Sequence, residues 1–181
     1  AGVPILCDAE FLYRAVLAAQ SRARFVGVTG TNGKSTTTAL IHHILTRAGH
    51  AAEAGGNLGP PALSLNMGGS EGVYTLEMSS YMLERIATLR FNVAVMLNLS
   101  PDHLDRHGDM DGYAAAKARI FARQTREDVA VLGQEDARPG DGRQPVGRGC
   151  GLAQRPHPAG RLPAKDLHDG VEEHRGSHGL D

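Results

Sequence analysis

The sequence predicts an α/β domain built on a mostly parallel sheet with helices on both faces. Three features carry this expectation. Short, continuously apolar runs such as Phe25-Val26-Gly27-Val28 and Val93-Ala94-Val95-Met96-Leu97 read as strands buried on both sides. Segments with apolar residues at helical spacing alternate with those runs. Glycine-rich turns punctuate the two kinds of segment.

Taken in order, Phe25–Val28 is the first strand and leads into a glycine-rich turn. From Lys34 to Ala48, the residues Leu40, Ile41, Ile44, Leu45 and Ala48 recur at helical spacing, with Gly49 as a stop. Gly72 to Leu76 is a second strand that ends in Glu77, and Ser79 to Thr88 suits a helix. Val93–Leu97 is a third strand, Met110 to Gln124 a long alanine-rich helix, and Asp128 to Leu132 a fourth strand. Sheets of this kind bind ligands at the carboxyl ends of their strands.

Beyond Leu132 the pattern stops. No Phe, Tyr, Ile or Met occurs after Phe121, and the text turns to Gly, Pro, Arg, His and Asp with no period. Such a stretch cannot bury enough apolar surface to offset its ordering entropy. Residues 133–181 are expected to be a disordered or frameshifted tail. The chain also opens on Ala1 without Met and reads as a fragment of a longer protein.

Composition narrows the function. Lys plus Arg number 19 against 20 acidic residues, so no basic field favours nucleic acid or an anionic membrane. The two cysteines, Cys7 and Cys150, make neither a metal pattern nor a disulfide framework, which fits a reducing cytosol. No apolar run approaches the length of a membrane span. A cytoplasmic monomer is expected.

Gly30-Thr31-Asn32-Gly33-Lys34-Ser35-Thr36 lies between a buried strand and a periodic helix, as a phosphate loop requires. Its glycines let backbone N–H groups close on phosphate oxygens, and the helix N-terminus adds partial positive charge. Lys34 can reach the β- and γ-phosphates, and the Ser35 hydroxyl can ligate Mg²⁺. The loop departs from a standard Walker A, whose first glycine would fall at Val28. Glu77, at the carboxyl edge of its strand, can hold a metal directly or through water. Asn98-Leu99-Ser100-Pro101-Asp102-His103-Leu104-Asp105-Arg106-His107 follows the third strand and packs acids and imidazoles tightly. Such crowding is costly unless a cation or ligand uses it. His42, His43 and His50 read as solvated or structural. Lys117, taken alone on its alanine-rich helix, reads as a solvated surface residue.

Thr29 to Thr36, Gly55-Gly56-Asn57-Leu58-Gly59, Leu76-Glu77-Met78-Ser79-Ser80, Asp102 to His107 and Tyr113 to Lys117 resemble, in order and spacing, the central ATP-binding domain of the Mur ligases. The resemblance covers residues 1 to 132. It implies a P-loop-like central domain, truncated here: residues 1–22 are a linker from a missing N-terminal domain, and 23–132 part of the central domain. It also implies an ATP-dependent ligase that makes an amide bond through an acyl phosphate in peptidoglycan precursor synthesis. Gly55 to Gly59 and Ser79-Ser80-Tyr81 favour the member that joins D-glutamate to UDP-N-acetylmuramoyl-L-alanine. The Asp-His-Leu-Asp motif is shared with the diamino-acid-adding member, which stays an alternative. A non-catalytic nucleotide-binding remnant is an alternative of another class. Folate polyglutamate synthetases have a similar phosphate loop, but Gly55 to Gly59 and Ser79-Ser80 count against them.

Carried over by position, Gly30 to Thr36 hold ATP, with Lys34 on the γ-phosphate. Ser35 and Glu77 take one Mg²⁺, and His103 with a carbamylated Lys117 takes a second. Asn57 and Ser79 touch the muramoyl substrate. Lys34, His103 and Lys117 are the expected catalytic groups.

Overall fold

A computed structural model describes residues 3–67 and 69–133; the expected tail, from residue 134 onward, lies outside the described residues. In chain order the elements are α1 (Asp8–Ala18), β1 (Arg24–Thr29), α2 (Lys34–Arg47), β2 (Ala52–Gly56), β3 (Val73–Glu77), α3 (Ser80–Leu83), β4 (Val93–Met96), α4 (Leu104–His107), α5 (Met110–Ala118) and β5 (Val129–Leu132). The strands form one parallel sheet in the order β2-β3-β1-β4-β5. β1 is central and apolar because it is covered on both sides: all of it after Arg24 is buried. The expected strands are all present, within a residue or two of their expected ends.

The sheet faces differ. On one, Phe25 stacks on Tyr74 at 5.0 Å between ring centroids, with the edge of Tyr13 against it at 5.2 Å. Ala9, Leu12 and Val16 of α1 join Leu76, Leu83, Leu89, Phe91 and Ile120 in this core. On the other face α2 packs over β1, β2 and β3. Its grip is lighter: only Thr38 is fully buried, while Leu40 and Ile44 remain more than half exposed. The helical period of α2 is as expected, but only Ile41 and Leu45 of its apolar residues turn inward.

Three elements were not foreseen: α1, β2 and the single helical turn α4. Helix α1 lies inside the segment read as a linker, and it is fastened by its acids. The Glu10 carboxylate, fully buried, accepts hydrogen bonds from the N–H groups of Ala87, Thr88 and Leu89, from the Thr88 hydroxyl and from Arg14 Nε. Burial alone would raise its pKa, but these donors outweigh burial and hold it at about 2. Asp8 Oδ2 accepts from the Ala62 N–H at 2.7 Å. Strand β2, Ala-Glu-Ala-Gly-Gly, pairs with β3 at the sheet edge and has too little apolar character to announce itself.

Two helices are shorter than expected. The helix expected from Ser79 to Thr88 ends at Leu83 because its later N–H groups are used elsewhere. A helix would need the N–H groups of Ala87 and Thr88 for its own carbonyls, but both donate to Glu10. Arg119 takes the carbonyls of Leu83 and Ile86, and Cys7 N–H takes that of Arg85. The expected helix from Met110 to Gln124 is α-helical to Ala118 and closes through a 3₁₀ turn at Arg119–Phe121. No described helix is long and apolar enough to cross a membrane.

Candidate functional site

Every sequence-predicted site segment lies at the carboxyl edge of the sheet. The phosphate loop follows β1, Asn57 follows β2, Glu77 closes β3, and the segment with His103 follows β4. The strand apolarity that builds the core therefore also fixes where the polar groups converge.

The phosphate loop turns into α2 through Gly33, at φ 82°, a left-handed conformation that a side chain would strain. Lys34 is the first residue of α2, and its Nζ curls back to donate to the Thr31 carbonyl at 2.8 Å. Ser35 donates its hydroxyl to Glu77 Oε2 at 2.7 Å. Asn57 Nδ2 donates to Glu77 Oε1 at 3.0 Å, and Asn57 N–H to the Glu77 carbonyl at 2.9 Å. This approach needs Gly56: at φ 113°, a Cβ there would sit 2.4 Å from the Glu77 carbonyl oxygen. Glu77 is 2 % exposed. Its carboxylate has two neutral donors and no ion pair among the described residues.

The Ser35 and Glu77 oxygens suit Mg²⁺. In an octahedron with bonds near 2.05 Å, neighbouring ligands stand about 2.9 Å apart, close to the spacing seen here. Among the described residues no group of three His, Cys, Asp or Glu side chains converges. An ion here would complete its shell with phosphate oxygens and water, the habit of Mg²⁺ in phosphoryl-transfer sites.

Lys117 is where the plain reading of the sequence fails. It is not solvated but 2 % exposed, on the inner side of α5. Its Nζ donates to the Gly30 carbonyl at 2.8 Å and lies 4.7 Å from the Tyr113 ring centre. Burial, then the nearby Lys34 charge, lowers its pKa to about 8, while Asp102 pulls weakly the other way. His103 sits at φ 52°, left-handed for a residue with a side chain, a form of strain common at functional sites. Asp102 holds it by accepting its N–H at 3.0 Å and facing Nε2 at 3.4 Å, with Tyr81 edge-on to its ring.

A cavity of about 290 Å³ brings Lys34, Asn57, Ser79, His103 and Lys117 together. Asp102 and Tyr113 also line it. Two lysines against one aspartate make it a receptor for anions, with the Ser35–Glu77 pair beside it. Thr36 is exposed on α2. Ser79 also caps α3, its Oγ accepting from the Met82 N–H.

Three residues were missed as functional. Asn98 clamps the phosphate loop, and Tyr113 places its hydroxyl 3.3 Å from that of Thr31. His107, with its side chain 2 % exposed, sets Nε2 3.0 Å from Ser80 Oγ and Nδ1 3.4 Å from Glu84. All three stand in segments the sequence singled out, but their partners lie 23 to 82 residues away.

Known proteins share this sequence pattern and fold. The profile of the Mur ligase middle domain matches residues 28–143, more than half of the chain. A Rhodospirillum rubrum protein named UDP-N-acetylmuramoylalanine--D-glutamate ligase is 54 % identical over 135 residues, which are 75 % of this chain and 28 % of that protein. A Caulobacter vibrioides protein of the same name is 50 % identical over 139 residues, 76 % of this chain and 30 % of its own. The chain thus spans less than a third of either relative. Among solved structures, a UDP-N-acetylmuramoyl-L-alanyl-D-glutamate--2,6-diaminopimelate ligase matches with a TM-score of 0.51 and 28 % identity, over 68 % of this chain and 30 % of that one. The MurF ligase of Thermotoga maritima, solved with ADP, shares the fold at a TM-score of 0.53 and 22 % identity, over 68 % of this chain and 30 % of its own. The chain belongs to the Mur ligase middle-domain family.

Proposed function

We propose that this chain carries the ATP-handling centre of a cytoplasmic, monomeric ligase that joins D-glutamate to UDP-N-acetylmuramoyl-L-alanine in peptidoglycan precursor synthesis. The substrates come from the name of relatives at about half identity, of which the chain spans under a third. The observation that carries the reading is the convergence of Lys34, Asn57, Ser79, His103 and Lys117 on one cavity, with Ser35 and Glu77 at its edge.

In this reading the N–H groups at the start of α2 hold the ATP phosphates, and Lys34 leaves the Thr31 carbonyl for the γ-phosphate. Asn57 and Ser79 orient the muramoyl substrate so that its carboxylate faces that phosphate. A carboxylate oxygen attacks the γ-phosphorus, ADP leaves, and the amine of D-glutamate then displaces phosphate from the acyl carbon. Two Mg²⁺ ions, one on Ser35 and Glu77 and one on His103 and Lys117, would screen the anions as they meet. Lys117 can serve only as a carbamate, because an ammonium repels the ion. Its depressed pKa raises the fraction of neutral amine, whose lone pair can attack CO₂, the released proton going to solvent.

Lys34→Ala tests the nucleotide site. It is expected to weaken MgATP binding by about 10- to 100-fold through loss of a charge-assisted contact, with an unchanged circular dichroism spectrum. Wild-type affinity in the folded variant would sink the assignment. The substrate reading is tested on the complete protein carrying this segment. ADP release should require both UDP-N-acetylmuramoyl-L-alanine and D-glutamate, and diaminopimelate should not replace the latter.

A further inference from the structure

One side chain ties the phosphate loop to the neighbouring strand. Asn98 stands just past β4, and its Oδ1 accepts the N–H groups of Thr31 at 3.1 Å and Asn32 at 2.9 Å. Its Nδ2 donates to the Asn32 carbonyl at 3.0 Å, and its own carbonyl accepts the Thr31 N–H at 3.1 Å. A side-chain amide can accept and donate at once, which neither a carboxylate nor an apolar group can do. The Thr31 hydroxyl extends the seam: it accepts from Ser100 N–H at 3.0 Å and donates to the Ser100 carbonyl at 3.2 Å.

This fixes which N–H groups of the loop remain free. Those of Thr31 and Asn32 are spent on Asn98. The Thr37 N–H is the first in the α2 ladder, donating to the Gly33 carbonyl at 3.0 Å. Between them, the N–H groups of Gly33, Lys34, Ser35 and Thr36 have no acceptor among the described residues, as befits the first turn of a helix.

We propose that Asn98 is a positioning residue for the phosphate loop. It withdraws the Thr31 and Asn32 N–H groups from anion binding, leaves that task to the N–H groups from Gly33 to Thr36, and holds the loop in its binding shape before nucleotide arrives. Because Asn98 opens the segment that carries Asp102 and His103, the same amide ties the nucleotide loop to other residues that line the cavity. The inference rests on the nucleotide reading of this site.

Backbone amide NMR of this chain tests it, with MgATP and inorganic triphosphate as probes. In the free protein the Thr31 and Asn32 amides should exchange slowly. Either probe should shift Gly33 to Thr36 strongly and leave Thr31 and Asn32 protected. Asn98→Ala should speed exchange at those two amides at least about tenfold and weaken MgATP by about tenfold through loss of preorganisation. Asn98→Asp keeps an acceptor of the same size and should keep both amides slow, whereas Asn98→Leu keeps the bulk without the acceptor and should free them, a pattern that a merely space-filling role would not produce. Should Asn98→Ala fail to fold, the wild type and Asn98→Asp still decide. Fast exchange at Thr31 and Asn32 in the wild type, or their recruitment by bound phosphate, would overturn the inference and leave the nucleotide site standing. Absence of any probe-induced shift from Gly33 to Thr36 would remove the nucleotide reading and the inference with it.

Discussion

Two carboxylates buried in this domain are supplied very differently. Glu10, on the inner face of α1, is surrounded by three backbone N–H groups, a hydroxyl and an arginine. Glu77, equally hidden at the end of β3, has only the Ser35 hydroxyl and the Asn57 amide. The first is saturated, its charge answered wholly by the fold, and it acts as a staple between α1 and the turn after α3. The second is left short of positive charge at the edge of an anion-binding cavity. A buried carboxylate in that condition is costly unless something from outside completes it.

The largest expected effect comes from breaking the saturated end. Glu10→Ala strands the N–H groups of Ala87, Thr88 and Leu89 and should cost about 3–5 kcal/mol of stability in denaturant unfolding. A loss below about 1 kcal/mol would mean that α1 is held by its apolar face alone. Acid should reveal the same residue. With a folded pKa of about 2, below the ordinary 4.5, the Glu10 contribution is complete above about pH 4.5 and is lost as pH falls towards 2. Glu10→Gln should flatten that part of the stability–pH curve.

The site end should respond to base instead. Lys117 has a folded pKa of about 8 against an ordinary 10.5, so the unfolded chain binds more protons between those values. Stability should therefore rise with pH across that window, by up to about 3 kcal/mol, and Lys117→Met should remove the rise. A flat curve in the wild type would show that the amine is not desolvated as its burial implies.

The smallest effect concerns hydroxyls on the α2 side of the sheet. Thr38 and Thr75 each bury a hydroxyl with no partner among the described residues. Thr75→Val keeps the shape and removes the unpaired group, so it should stabilise the chain by about 1 kcal/mol. A comparable loss would reveal a bridging water that the hydroxyl holds.

The same contrast explains what the sequence made legible. Strands β1 and β4 stand out because their apolar runs are covered on both faces, and the phosphate loop because its glycines and Lys34-Ser35 are contiguous. The early end of α3 could not be read, since its cause is Glu10, 77 residues from Ala87. Strand β2 hid because an edge strand of alanine and glycine has no period to detect. Lys117 looked solvated because burial of a lysine depends on what packs over it, here Tyr113 and the Gly30 carbonyl. The motifs could be read as contiguous text, but pairings made only by the fold, such as Asn98 to Thr31 or His107 to Ser80, could not.

Whether Glu77 is completed by a nucleotide-borne cation is best measured by ATP affinity with and without Mg²⁺, in wild type and Glu77→Gln. The glutamine can still meet Ser35 and Asn57, so its stability should stay within about 1 kcal/mol of wild type. Wild type should bind ATP at least about tenfold more tightly with Mg²⁺, and Glu77→Gln should lose that gain while keeping its Mg²⁺-free affinity. A folded Glu77→Gln protein that retains the full gain would contradict the account.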